Sequence, residues 1–139
     1  MRVLIDKSIW SFALRRKLND LGSIKDTQAV RELKELINEN RAIIIGPIRQ
    51  EILSGISNSV QYKKLKDKLK AFEDFSLSKG DYELAAEYFN LCRKKGIQGS
   101  HIDFLICAVA SRNDMSIYTT DKDFDNYSKA LKIRLHRSG

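Results

Sequence analysis

The chain has 139 residues, 42% of them apolar and 31% charged, with a formal net charge of +7 from 25 basic and 18 acidic residues. Those proportions fit a single folded domain over residues 1–139 and exclude a disordered or low-complexity chain. No apolar run approaches the roughly 20 residues of a membrane span, and Cys92 and Cys107, with only His101 and His136 beside them, offer neither a CxxC pair nor a structural zinc site.

"VLI" (3–5) is a short strand apolar on both faces, and it runs straight into Asp6. "DTQAVRELKELINEN" (26–40) places Val30, Leu33, Leu36 and Ile37 at a helical period. "AIII" (42–45) is a second buried strand, and Gly46-Pro47 opens the helix "PIRQEILSGI", with Pro47 in its first turn. "VQYKKLKDKLKAF" gathers Tyr62, Leu65, Leu69 and Phe72 on one helical face and its lysines elsewhere. "DYELAAEYFNLCRKKG" is a helix ending at Gly96 with basic residues in its last turn. The apolar helix "SHIDFLICAVASRND" follows, then the strand "SIYTT" (116–120), a short helix "DKDFDNYSKAL" and a final edge strand "KIRLH". Strands separated by helices predict a three-layer α/β/α sandwich around a mostly parallel sheet of about five strands.

In open sheets of this kind, sites form outside the carboxyl ends of the strands. Asp6 and Asp121 stand at two such ends, and Glu51 lies on the helix after the second strand. Asp103 is the one acid in the apolar run 102–110. Each has an ordinary role available. Asp6 suits a helix cap. Ser100 with Asp103, and Thr120 with Asp123, have the spacing of a capping box. Glu51 alone is an unremarkable helix residue. Together they are harder to dismiss, because carboxylates converging on one mouth repel each other and raise each other's pKa. A cation removes that penalty, and hard oxygen ligands without His or Cys suit Mg²⁺ or Mn²⁺. A divalent ion among acids, in a basic protein, points to phosphodiester chemistry. The basic excess itself suits a polyanionic partner and equally serves solubility.

Neighbouring motifs fail on particular residues. "DKDFD" begins like a calcium loop, yet Asn126 stands where glycine is needed and Lys132 where the bidentate glutamate belongs. No Walker A sequence is present, and the phosphotransferase pattern of haloacid dehalogenases needs an acid where Ser8 stands.

"LIDKSIW", "RQEILSG", "GSHIDFLICAVA" and "YTTDKDF" resemble, in order and spacing, the four motif regions of PIN domains of the VapC-like toxin ribonuclease branch, over residues 2 to about 136. The resemblance implies a metal-dependent endoribonuclease cutting RNA, usually the toxin of a two-gene toxin–antitoxin module, cytoplasmic, homodimeric and bound by a small VapB-like antitoxin. It assigns catalysis to Asp6, Glu51, Asp103 and Asp121, and metal binding to Asp6, Asp103 and Asp121 with Asp123 as an accessory acid. Ser8 matches the hydroxyl residue that arranges the first acid. Lys7 departs from the family, which commonly has Thr or Ser there. An RNA path is expected over Lys7, Arg15, Arg16 and Lys17, or along the lysine-rich helix from Lys63 to Lys70, whose simpler role is a solvated face. The alternatives are a housekeeping RNA-processing nuclease and a non-catalytic PIN-like interaction module.

Overall fold

Val3, Leu4 and Ile5 are wholly buried, and as strand β1 (Val3–Ile5) they form the centre of the sheet. The computed structural model of the chain describes residues 1–15 and 24–137. After β1 come α1 (Lys7–Arg15), α2 (Ile24–Asn38), β2 (Ala42–Ile43), α3 (Gly46–Leu53), α4 (Ser59–Leu69), α5 (Lys79–Lys94), α6 (His101–Arg112), β3 (Ser116–Tyr118) and α7 (Asp123–Ala130). The sheet order is β2-β1-β3, all parallel, with Val3 opposite Ala42 and Ser116, and Ile5 opposite Tyr118.

Among the described residues the expected five strands are therefore three. The outer two shrink to single parallel bridges, Ile44 with Asp74 and Ile117 with Leu135. "KIRLH" does lie along β3, since Ile117 N–H donates to the Arg134 carbonyl at 2.9 Å and His136 N–H to the Ile117 carbonyl at 2.7 Å. An edge this short gives a neighbouring chain little to pair with.

With β1 in the middle, the chain leaves in one direction to β2 and returns across β1 to β3. Right-handed crossovers then put α1 and α2 on the face opposite α6, and α6 packs on β1, β3 and α5. Seven consecutive residues of α6, Phe104 to Ala110, are buried, as befits a helix sandwiched between sheet and α5. Burying each of its larger apolar side chains contributes about 1.5–3 kcal/mol.

The helical faces predicted for α2 and α4 are present, with Val30, Leu33, Leu36, Leu65 and Leu69 buried. Tyr62 is the exception: it is an exposed residue of α4, and Lys63, Lys64, Lys66 and Lys68 are exposed beside it. Pro47 occupies the first turn of α3 as expected. From the same helix Arg49 ties α3 to the end of α4, donating to Asp74 and to the Leu69 carbonyl at 2.9 Å each and also to the Phe72 carbonyl. At the start of α5, Ser78 and Asp81 form a capping box whose buried acid also accepts from Arg112 of α6 at 2.8 Å. The guanidinium and the Ser78 bonds hold the Asp81 carboxyl below its ordinary range despite its burial.

Candidate active site

Parallel pairing of Ile5 with Tyr118 brings the ends of β1 and β3 side by side, and the next residues are Asp6 and Thr119. Asp6 N–H donates to the Tyr118 carbonyl at 2.9 Å, which extends the ladder one step and carries the Asp6 side chain to the sheet's carboxyl edge. This is also where the topology reverses, between β1 and β3, the place where open α/β sheets form their clefts.

Among the described residues, the hydrogen bonds to the Asp6 side chain come from Ser8 and Thr119 and not from the backbone of α1. Asp6 Oδ2 accepts from Thr119 Oγ1 at 2.7 Å and from Ser8 Oγ at 3.0 Å, and it is the backbone carbonyl of Asp6 that starts the helix, accepting from Ile9 and Trp10. The two hydroxyls are themselves fixed: Ser8 Oγ accepts from Thr120 N–H at 3.1 Å and Thr119 Oγ1 from Asp121 N–H at 3.0 Å. With both protons committed to Asp6, their 3.3 Å separation is a packing contact. One oxygen of a 7% exposed carboxylate is thus held by two donors. Among the described residues, no hydrogen bond reaches the other oxygen.

Asp103 enters from the other side, on the first turn of α6. Its backbone N–H donates to Ser100 Oγ at 3.0 Å, the first half of the expected capping box. Its carboxylate is used elsewhere, with Oδ2 accepting from the Tyr127 hydroxyl at 2.7 Å. Asp121, in the turn after β3, accepts the Asp123 N–H at 2.9 Å. The expected Thr120–Asp123 box is absent, because α7 starts at Asp123 with Lys122 as its N-cap, two residues beyond Thr120, and no side chain caps it there.

One carboxylate oxygen from each of Asp103, Asp121 and Asp123 falls within 4.8 Å of the others, close enough for a single ion to bridge them, with Asp103 half-buried and the other two exposed. Electrostatics extends the group. Burial raises the Asp103 carboxyl above its ordinary range, and the charges of Asp6 and Asp121 add to the rise against the bonds from Tyr127 and Ser100. Glu51, half-buried on α3, is raised by burial and by Asp6 and Asp103, and lowered by the charge of Lys7. The three-acid group leaves out Asp6 and Glu51, but the charge of Asp6 acts on both Asp103 and Glu51, and that of Lys7 on Glu51. Arg15 has no described side chain, and Arg16 and Lys17 lie outside the described residues. Three all-oxygen donors at this spacing fit a hard divalent cation such as Mg²⁺ or Mn²⁺.

The PIN domain profile matches residues 3–130. The chain belongs to the PIN domain family. Its PIN fold spans nearly the whole of several solved structures. FitAcB from Neisseria gonorrhoeae has a TM-score of 0.75 at 17% identity, covering 98% of this chain and 97% of that one. VapBC2 from Rickettsia felis, solved with a DNA fragment from its promoter, has a TM-score of 0.76 at 17% identity, covering 98% of each chain. VapBC-5 from Mycobacterium tuberculosis has a TM-score of 0.67 at 16% identity, covering 99% of each. At these identities the likeness is one of fold. A comparison with curated proteins gave no match. Among the described residues no helix is long and apolar enough to cross a membrane.

Two members of this PIN site were not foreseen from the sequence, Thr119 and Tyr127. Thr119 is the first of a Thr-Thr pair, read naturally as the end of a strand. Thr119→Val keeps its shape and removes both hydrogen bonds. Cleavage should fall about 10–100-fold, the usual cost of losing a group that orients a ligand, and unfolding free energy by about 0.5–1.5 kcal/mol. Kinetics and urea melts of the two proteins measure these.

The raised carboxyls also fix a pH dependence. Ligands must be ionised to bind a cation, so acid should weaken metal affinity before ordinary carboxylates titrate. In the metal-free protein the sign is opposite. Asp103 and Glu51 have folded pKa values above the unfolded ones, so their contribution to stability is present on the acid side and lost as pH rises through the folded values. The rise in melting temperature on adding Mn²⁺ should therefore shrink from neutrality into mildly acidic buffer.

Proposed function

We propose that this protein is a metal-dependent endoribonuclease that hydrolyses RNA phosphodiester bonds, acting as the toxin of a toxin–antitoxin module. The observation that carries the nuclease reading is the convergence of the Asp103, Asp121 and Asp123 carboxylates within 4.8 Å, beside Asp6 and Glu51, at the switch point of a PIN fold. Like charges so placed oppose folding, and a cation used in chemistry accounts for their presence.

Asp103, Asp121 and Asp123 would hold the ion, with the second oxygen of Asp6 completing the set. When bound, a divalent ion supplies Lewis acidity towards the attacked phosphate and an attacking water. Ser8 and Thr119 keep Asp6 aimed at the mouth. Glu51, with its carboxyl held above the ordinary range, is suited to take a proton from that water on a carboxylate oxygen and return it to solvent. The Lys7 ammonium, close enough to act on Glu51, can meet a substrate phosphate. By resemblance to the VapC-like ribonucleases, in-line attack by water breaks the bond from phosphorus to the 3′-oxygen, which takes up a proton from solvent, leaving a 5′-phosphate and a 3′-hydroxyl.

The toxin reading draws support from the structural neighbours, one of which is described as a member of the VapBC family of toxin–antitoxin systems. On that reading the protein is a homodimer held in check by a small antitoxin. Purified protein incubated with total cellular RNA should cut it in Mg²⁺ or Mn²⁺, fail to do so in EDTA, and recover when metal is restored. EDTA-resistant cleavage would contradict the metal-dependent reading.

A further inference from the structure

Tyr127 lies one helical turn beyond Asp123 on α7, so the two share a face of that helix. It is wholly buried, packed against Phe104 and Phe124 with ring centroids 5.0 and 5.1 Å away. A buried tyrosine needs an acceptor for its hydroxyl. This one reaches across to α6 and donates to Asp103 at 2.7 Å. The bond therefore joins the helix that carries Asp123 to the helix that carries Asp103.

Gly99, just before the Ser100 cap, explains how the hydroxyl gets there. A Cβ on Gly99 would stand 2.5 Å from Tyr127 Oη, 2.8 Å from its Cζ and 2.9 Å from Phe104 Cζ. Its backbone lies outside the left-handed region, so glycine is required at this position for space and not for φ. The phenol end occupies the room that a side chain would take.

We propose that Tyr127 is a positioning residue of the metal site: its hydroxyl, seated against the bare Cα of Gly99, fixes the rotation of the Asp103 carboxylate and braces α6 against α7. This rests on the metal-site reading above. The carboxylates of Asp103, Asp121 and Asp123 repel one another until a cation arrives, and a carboxylate free to turn would swing towards solvent. Held by the tyrosine, Asp103 keeps its place and loses less freedom on binding. An ordinary core tyrosine would show the same burial, but nothing in that role requires its hydroxyl to meet a carboxylate at this mouth.

Tyr127→Phe separates the two roles, because it keeps the ring and its packing and removes one hydroxyl. Mn²⁺ affinity is measured by titration calorimetry, and folding by metal-free thermal melts. The expected result is a melting temperature near that of the wild type with Mn²⁺ bound about 10–100-fold more weakly. Half-maximal cleavage should move to higher Mn²⁺ by a similar factor. Gly99→Ala, which keeps the hydroxyl but evicts it, should weaken Mn²⁺ in the same direction. Wild-type Mn²⁺ affinity in Tyr127→Phe would overturn the positioning role while leaving the metal site intact. A wild-type protein that cleaves RNA without binding Mn²⁺ or Mg²⁺ would overturn the metal reading, and this inference with it.

Discussion

Asp103→Asn should yield a folded protein that no longer cuts RNA. The substitution is conservative towards the fold for two reasons visible at the start of α6. The bond to Ser100 uses the Asp103 backbone N–H, which asparagine retains, and the Tyr127 hydroxyl can donate to the amide oxygen as it does to Oδ2. What disappears is a negative charge. Its loss forgoes a favourable interaction with the helix N-terminus of about 0.3–1 kcal/mol. It also relieves the repulsion from Asp6 and Asp121, which helps to raise the Asp103 carboxyl. Above its folded pKa, ionised Asp103 costs stability, so in that range the neutral amide should match or exceed the wild type in metal-free melts. Mn²⁺ should stabilise the wild type and leave the variant unmoved. Cleavage should fall by more than about 100-fold, beyond what loss of a merely supporting residue costs. A destabilised but fully active variant would reduce Asp103 to a helix cap.

Asp6→Asn is expected to be as severe, through a single atom. The Asp6 carboxylate is pinned by Ser8 and Thr119 on one oxygen. An asparagine oxygen in that position accepts both bonds, so the rotamer and the strand end persist. The amide nitrogen must then occupy the place of the other oxygen, presenting two N–H donors to the mouth where a cation ligand is needed. Melting temperature should change little, and the rate should drop by more than about 100-fold, below that of Thr119→Val. Equal activity in Asp6→Asn and wild type would assign Asp6 to holding the hydroxyls in place and nothing more.

Much of the site was legible because apolar runs declare where strands end. "VLI" before Asp6 and "SIYTT" before Asp121 place both acids at the carboxyl edge, and β1 and β3 prove to be neighbours. Asp103 was conspicuous as the one charge in the apolar run 102–110, of which Phe104 to Ala110 are buried. The supporting residues were hidden by their own good fit to the fold. Threonine at a strand end satisfies β propensity, so nothing marks Thr119 as the donor to Asp6. Tyr127 sits on the apolar face of its helix, where an aromatic residue is expected, and its hydrogen bond spans 24 residues. Gly99 reads as part of a turn, and its reason is steric contact with that same tyrosine. The strand count was overstated because alternation in "KIRLH" marks a segment able to pair without fixing how far pairing runs. The fourth segment, beside β2, enters at Asp74, where Phe75 and Leu77 alternate with Ser76 and Ser78 over a run too short to declare a strand.

The chemistry at the cut leaves a record that tests metal-assisted hydrolysis most directly. A defined RNA oligomer is incubated with the pure protein in Mn²⁺, and both new ends are typed, with Asp103→Asn and EDTA as parallel reactions. The proposed metal-assisted hydrolysis, with the bond to the 3′-oxygen as the one broken, predicts a 5′-phosphate and a 3′-hydroxyl, formed only by the wild type with metal. A 2′,3′-cyclic phosphate opposite a 5′-hydroxyl, formed equally in EDTA, would mean that the ribose 2′-hydroxyl is the nucleophile and that the five acids serve no bound cation.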